Sequence, residues 1–119
     1  MNHLLSIEKR NSVLNRMAKI LEQERANLKA INQQDLNNYT GDDLAMEKRL
    51  LVDDAKIDGM ILSLQQLASQ EDPIGVERFN FDHENGMKII NKTAAFGTIM
   101  IIYESRPDVT VEAGGIAFK

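Results

Sequence analysis

Ile99-Met100-Ile101-Ile102-Tyr103-Glu104-Ser105-Arg106-Pro107-Asp108-Val109-Thr110-Val111 carries the transition that decides how this chain is built. Its first four residues are too continuously apolar for a half-exposed strand and suit a parallel strand covered on both faces. Ser105-x-x-Asp108 has capping-box character, Pro107 suits a first helical turn, and Asp108 places negative charge where the helix dipole is positive. The stretch predicts strand, loop, helix, with Asp108 read as a helix cap. One parallel strand has no parallel partner here, and such sheets need long crossover connections and further strands. With eight residues left after Val111, the chain is expected to stop inside a βαβ unit.

Upstream, Val76 to Thr93 alternates apolar and polar residues: Val76, Arg78, Phe79, Asn80 and Phe81 on one arm, Met87, Lys88 and Ile89 on the other. Asn85-Gly86 between them signals a hairpin, because both central positions of a type I′ turn require positive φ. A bare two-stranded hairpin is marginally stable in water, so it should lie on something or pair elsewhere.

Further back, Leu14, Met17, Leu21, Leu28 and Ile31 recur at helical spacing with Val13 and Ile20 beside them. They predict an amphipathic helix, interrupted near Ala26. Asn37 to Asp43 collects residues that favour turns and caps. A second helix is expected from about Leu44 to Ala68, with Leu50, Ile57, Ile61, Leu64 and Ala68 in one stripe. Gly59 within it marks a bend or a close helix crossing. Asp72-Pro73 closes the helical zone, since the residue before proline is pushed from helical angles.

Composition excludes several classes. The 119 residues are 43% hydrophobic and 27% charged, and no apolar run approaches the roughly 20 residues of a membrane span. The positive charges of MNHLLSIEKRN follow its short apolar cluster and no small-residue cleavage site comes after, so cytoplasm is the default. Zero cysteines exclude disulfides, thiolate metal sites and thiol catalysis by this chain. A formal net charge of −4 argues against a phosphate-backbone binder, so no nucleic acid is expected. His3 and His83 stand alone, and Asp42-Asp43 and Asp53-Asp54 read as caps and solvated faces, so no metal site is expected. Gly75 and Gly97 do not form a phosphate loop, and no G-x-G-x-x-G or Walker sequence occurs.

The segment Phe96 to Lys119, FGTIMIIYESRPDVTVEAGGIAFK, resembles the gamma-glutamyl phosphate reductases (glutamate-5-semialdehyde dehydrogenases), a branch of the aldehyde dehydrogenase superfamily. The run IIYESRP, a polar residue, then V-T carries the resemblance, joined by Ile74-Gly75-Val76-Glu77-Arg78 and Asn85-Gly86-Met87-x-Ile89. Residues 1 to 70 are similar only in general pattern. The resemblance implies an NADPH-dependent reductase that converts L-glutamyl 5-phosphate to L-glutamate 5-semialdehyde and phosphate in L-proline biosynthesis. It implies a homo-oligomer whose subunits are joined partly through strands equivalent to the hairpin. In that family a cysteine attacks the acyl phosphate and nicotinamide delivers hydride; both would lie outside this chain, which is then an inactive N-terminal fragment binding NADPH only as part of the longer protein.

By the same resemblance the loop Tyr103 to Pro107 lines the cleft between cofactor and substrate. Ser105 and Arg106 are placed at a substrate or cofactor phosphate, with Tyr103, Glu104 and Pro107 beside them and no catalytic residue among them. Arginine offers a planar fork of donors for carboxylate or phosphate; the plainer reading pairs Arg106 with Glu104 or Glu112 on the surface. Tyr103 is equally readable as a strand-end anchor whose hydroxyl finds a partner. Asp108 stands where asparagine is often found in bacterial members, and an ionised aspartate cannot donate a hydrogen bond. Ala95, Met100 and the pair Gly114-Gly115 also depart from the pattern, the glycines weakening the last helix unless close packing compensates.

The fold expected is α/β: N-terminal amphipathic helices plus a β-hairpin leading into the first strand and helix of an incomplete Rossmann-like parallel sheet. The boundaries are residues 1–73 for the helical segment, 74–95 for an oligomerisation-type hairpin and 96–119 for the start of a truncated nucleotide-binding domain. The competing expectation is a stand-alone small α+β interaction module, with the apolar residues 99–102 covered by a second copy.

Overall fold

The structure is a computed structural model that describes residues 5–104 and 106–119. Its elements are α1 (Ile7–Gln23), α2 (Arg25–Asn38), α3 (Leu44–Leu50), α4 (Asp54–Ser69), β1 (Glu77–Asp82), β2 (Lys88–Lys92) and α5 (Pro107–Phe118). Two compact units result. One runs to Gln70 and takes in Ile101–Lys119; the other is Glu71–Met100.

The helical unit is organised by α1 against α4. Ser6 opens α1 by accepting from the Lys9 amide. Leu14 and Ala18 from α1 interlock with Leu64 and Ala68 from α4, and Val52, Ile57 and Met60 form the adjoining cluster with Leu21, Ile61 and Val111 against it. Leu14 thus meets the end of α4 while Leu21 meets its beginning, so the two helices run antiparallel. Leu14, Ile57 and Leu64 are the largest side chains fully withdrawn from water, and burying each contributes roughly 1.5–3 kcal/mol. α5 lays Val111 and Phe118 on this core.

Between α1 and α2 the chain hardly breaks. Glu24 (φ −91°, ψ 6°) donates to Ile20 O at 2.9 Å and accepts from Leu28 N at 2.8 Å, so helical bonding continues through the interruption expected near Ala26. Arg25 at this joint reaches Glu22 (2.5 Å), Asp58 (2.5 Å) and Asp54 (3.2 Å), and Lys29 adds a 2.6 Å pair to Asp54. These charges tie the joint to the first turns of α4.

The single helix expected from Leu44 to Ala68 is two helices. Asp43 starts α3, accepting from Ala45 N at 2.8 Å. Asp53 starts α4, accepting from Lys56 N at 2.8 Å. Asp53 competes with the helix for its own backbone, as N-cap residues do. The gap is held from outside by Asn32 of α2, whose side chain donates to Leu50 O (2.9 Å) and accepts from Val52 N (2.6 Å). Lys56 Nζ takes the Arg49 carbonyl at 2.7 Å. Gly59 marks neither a bend nor a close crossing: α4 runs through it, and an added Cβ would meet nothing within 4 Å.

The second unit is a two-stranded antiparallel hairpin, with Phe81 opposite Ile89 and a register shift between Glu77 and Phe79. Its turn is not type I′. Gly86 N donates to His83 O at 2.8 Å, His83 N donates to Met87 O at 2.7 Å, and Gly86 takes φ +80°. That is a three-residue loop in which Gly86 occupies the left-handed position. Thr93 closes the base, its hydroxyl donating to Pro73 O (2.8 Å) and accepting from Val76 N (3.0 Å). Phe79 and Phe81 stack with ring centroids 6.5 Å apart.

The parallel strand expected at 99–102 is not formed, and the Rossmann-like sheet is therefore not seen. Among the described residues the only sheet is β1–β2. Ile99, Met100, Ile101 and Ile102 lie 56%, 83%, 47% and 84% exposed without strand pairing. Apolar character alone cannot make a strand, because a ladder requires a neighbour to accept its N–H groups. The architecture described is helix-rich with one antiparallel hairpin.

Candidate functional site

Pro107 fixes where α5 begins. It occupies the first helical position, where its missing N–H costs nothing, and it forces Arg106 (φ −131°, ψ 86°) outside the helix. Arg106 is consequently the N-cap, and no side-chain cap bond forms. This corrects the capping-box reading: Asp108 sits within the first turn. Its Oδ2 lies 3.4 Å from Arg106 Nη2, while Oδ1 is buried with no hydrogen-bond partner. Ser105, the other half of the expected box and a candidate for the phosphate site, lies outside the described residues, as does His3.

Tyr103 is tied to α5 by a hydrogen bond between its hydroxyl and Thr110 Oγ1. The bond spans the loop and fixes its entry to the first turns of the helix. Glu104 is exposed. Pro107 faces an apolar hollow of about 300 Å³ with Leu28, Ile31, Val52, Met60 and Val111.

Arg106 and Asp108 instead share a cleft of about 410 Å³ with Lys48, Arg49 and Lys56. Four cations and one carboxylate line it, in a chain whose net charge is −4. The sequence singled out Arg106 but not Lys48, Arg49 or Lys56. Lys48 and Arg49 precede the helix break and Lys56 follows it, so only the Asn32-held gap brings them to one cleft. The faint signal was the run Lys48-Arg49 at the end of α3, where cations also answer the helix dipole.

At the other end of α5, Lys119 is 8% exposed and its ammonium donates to Asn11 Oδ1 (2.6 Å), Gln70 O (2.8 Å) and Ala68 O (3.4 Å). Arg10 Nη1 donates to the Lys119 carbonyl. These bonds fix the last turn of α5 against α1 and the end of α4. The residues do not make a dinucleotide phosphate loop: the glycines with positive φ, Gly75, Gly86 and Gly97, all fall in the hairpin unit, none at a helix start. Among the described residues no group of three or more metal-ligating side chains gathers, and no helix is long and apolar enough to cross a membrane.

No family model matches the chain. Known proteins nevertheless do. Over 118 residues it is 38% identical to a gamma-glutamyl phosphate reductase of Shewanella denitrificans, covering 98% of this chain and 28% of that protein. It is 34% identical to the one of Leptospira interrogans (97% and 28%) and 37% identical to the one of Hydrogenobaculum sp. (92% and 25%). The crystal structure of gamma-glutamyl phosphate reductase from Thermotoga maritima superposes with a TM-score of 0.81 at 29% identity, over 96% of this chain and 28% of that one. Over the segment it spans, the chain is similar to the gamma-glutamyl phosphate reductases in sequence and in fold, and that segment is about 28% of the length of the curated relatives it matches.

Proposed function

We propose that this chain is the N-terminal part of an NADPH-dependent reductase that converts L-glutamyl 5-phosphate to L-glutamate 5-semialdehyde and phosphate in L-proline biosynthesis, a cytoplasmic homo-oligomer. The observation that carries the reading is Arg106, held at the helix start by Pro107 and opening on a cationic cleft. A guanidinium so placed matches the anionic groups of an acyl phosphate. Arg106 and Ser105 serve the substrate side of the active site with Glu104 beside them, and Tyr103 and Pro107 hold the loop that presents them. Residues 1–73 form the scaffold, 74–95 the subunit-joining hairpin, and 96–119 the start of the nucleotide-binding domain.

In the longer protein, residues 99–102 become a strand once a parallel neighbour accepts their N–H groups. Their exposed apolar side chains are then covered by helices. NADPH supplies hydride when bound by residues outside this segment. The chain has no cysteine, so the thiol that attacks the acyl phosphate also comes from elsewhere. What this segment contributes is binding and orientation of the substrate anion.

The test is phosphate-dependent reduction of NADP by glutamate 5-semialdehyde, the reverse reaction, in the longer protein with and without Arg106→Gln. Turnover that falls at least about tenfold in the variant is expected, one good charge-assisted interaction being worth that much. Wild-type protein that fails to turn over the semialdehyde would reject the assignment.

A further inference from the structure

We infer that Lys48, Arg49 and Lys56 complete, with Arg106, a binding site for a phosphate group, which extends the substrate loop onto the α3–α4 corner. The inference rests on the reductase reading for its biological ligand but not for its chemistry. Arg106 by itself is a half-exposed arginine with a weak 3.4 Å partner, and such a pair is worth little. The cleft changes that. Four cations share about 410 Å³. Among the described residues no carboxylate pairs with Lys48, Arg49 or Lys56. Elsewhere in the chain the cations gathered at a corner are neutralised, as Arg25 and Lys29 are by Glu22, Asp54 and Asp58.

Like charges held in one cleft repel one another, and a dianion between them removes that repulsion while accepting their hydrogen bonds. The backbone is arranged to keep them there. Lys56 is half-buried and its ammonium already donates to the Arg49 carbonyl at 2.7 Å, fixing the two residues across the break. Among the described residues the Arg49 guanidinium makes one hydrogen bond, a 3.8 Å donation to Met46 Sδ, which leaves most of its fork for a ligand. Asp108 is the one carboxylate among the described residues that line the cleft. It draws Arg106 to the wall of the cleft and lowers the attraction for an anion, so it sets how tightly phosphate is held.

The test is a titration of inorganic phosphate into the full chain at constant ionic strength made up with chloride, followed by calorimetry and by amide shifts. Saturable binding with shifts at 48, 49, 56 and 106 is expected. Arg49→Gln and Lys56→Gln should each weaken it about tenfold, and Asp108→Asn should tighten it several-fold. Circular dichroism checks that each variant folds. Should Lys56→Gln lose helix content, Arg49→Gln decides, since it gives up only the contact to sulfur.

Competition identifies the source of the group. Displacement of phosphate by acetyl phosphate and not by NADP assigns the site to a small phosphorylated substrate, and displacement by NADP assigns it to the cofactor; either sustains the phosphate site. Binding that does not saturate, or that is unchanged in Arg49→Gln, overturns it. Absence of turnover in the longer protein would instead reject the reductase reading and leave phosphate binding intact.

Discussion

The side chain of Asn32 pairs with the backbone around Val52 as a peptide group would, accepting from Val52 N at 2.6 Å and donating to Leu50 O at 2.9 Å. Asn32 is 6% exposed and Val52 8%. One amide from α2 thus satisfies both a donor and an acceptor that the end of α3 leaves open. Asn32→Ala strands both groups away from water, and a buried group left without a partner costs about 1–3 kcal/mol. A loss of about 2–4 kcal/mol in urea unfolding is expected. A loss below about 0.5 kcal/mol, the range of ordinary surface substitutions, would mean that Asp53 alone makes the break.

The adjacent glycines of α5 should respond to alanine with opposite signs. At Gly114 an added Cβ meets nothing within 4 Å, so alanine's helix propensity should stabilise by about 1 kcal/mol. At Gly115, which is buried, the same atom would lie 3.0 Å from Leu64 Cδ2 and 3.3 Å from Leu67 Cδ2. Leu64 is 1% exposed and has no room to retreat. Overpacking costs about 1–3 kcal/mol, which outweighs the propensity gain. Thermal unfolding of the two variants should therefore move in opposite directions, and a higher midpoint for Gly115→Ala would show that α5 is not pinned to α4 there.

Acid should loosen the charged joint between α1, α2 and α4. Lys29 first, and Arg25 with it, hold the Asp54 carboxyl below its ordinary value, while Glu22 and then Asp58 raise the Arg25 guanidinium further. A carboxyl depressed on folding contributes stability that is complete above the unfolded value, about 3.9. That contribution disappears as pH falls through the lower folded value. The difference in urea midpoint between wild type and Asp54→Asn should shrink steadily below about pH 4. Parallel midpoint curves for the two proteins down to pH 2 would contradict the coupling.

Helices and hairpin were legible because each is written locally. Leu14, Ile57 and Leu64 fall on stripes visible in the sequence, Asp43 and Asp53 sit where caps belong, and Gly86 announces a reversal. The interruption at 51–53 was not legible. Leu50, Leu51 and Val52 prolong a helical stripe, and the residue that holds the gap open is 20 positions back. The strand expected at 99–102 failed for the complementary reason, since an apolar run forms no strand without a neighbour to pair with, and among the described residues none is offered to it. Of the cleft, Arg106 could be read from its motif. Arg49 and Lys56 could not, because their meeting depends on that same gap.

Tyr103 offered two readings from the sequence, a strand-end anchor or a group lining the ligand cleft, and its contact with Thr110 allows a direct choice. Its hydroxyl is bonded to the helix, and it does not line the cleft of Lys48, Arg49, Lys56, Arg106 and Asp108. As an anchor it holds the loop that presents Arg106. Tyr103→Phe keeps the ring and removes one exposed hydrogen bond, so a loss of about 0.5–1.5 kcal/mol is expected. Phosphate affinity should fall only as far as the loop relaxes, no more than about threefold, because the cations remain. The double variant Tyr103→Phe with Thr110→Val should be no less stable than the sum of the single losses and is expected to be more so, since one bond cannot be lost twice. If Tyr103→Phe leaves stability unchanged yet abolishes phosphate binding, the hydroxyl serves the ligand and the anchor reading is wrong.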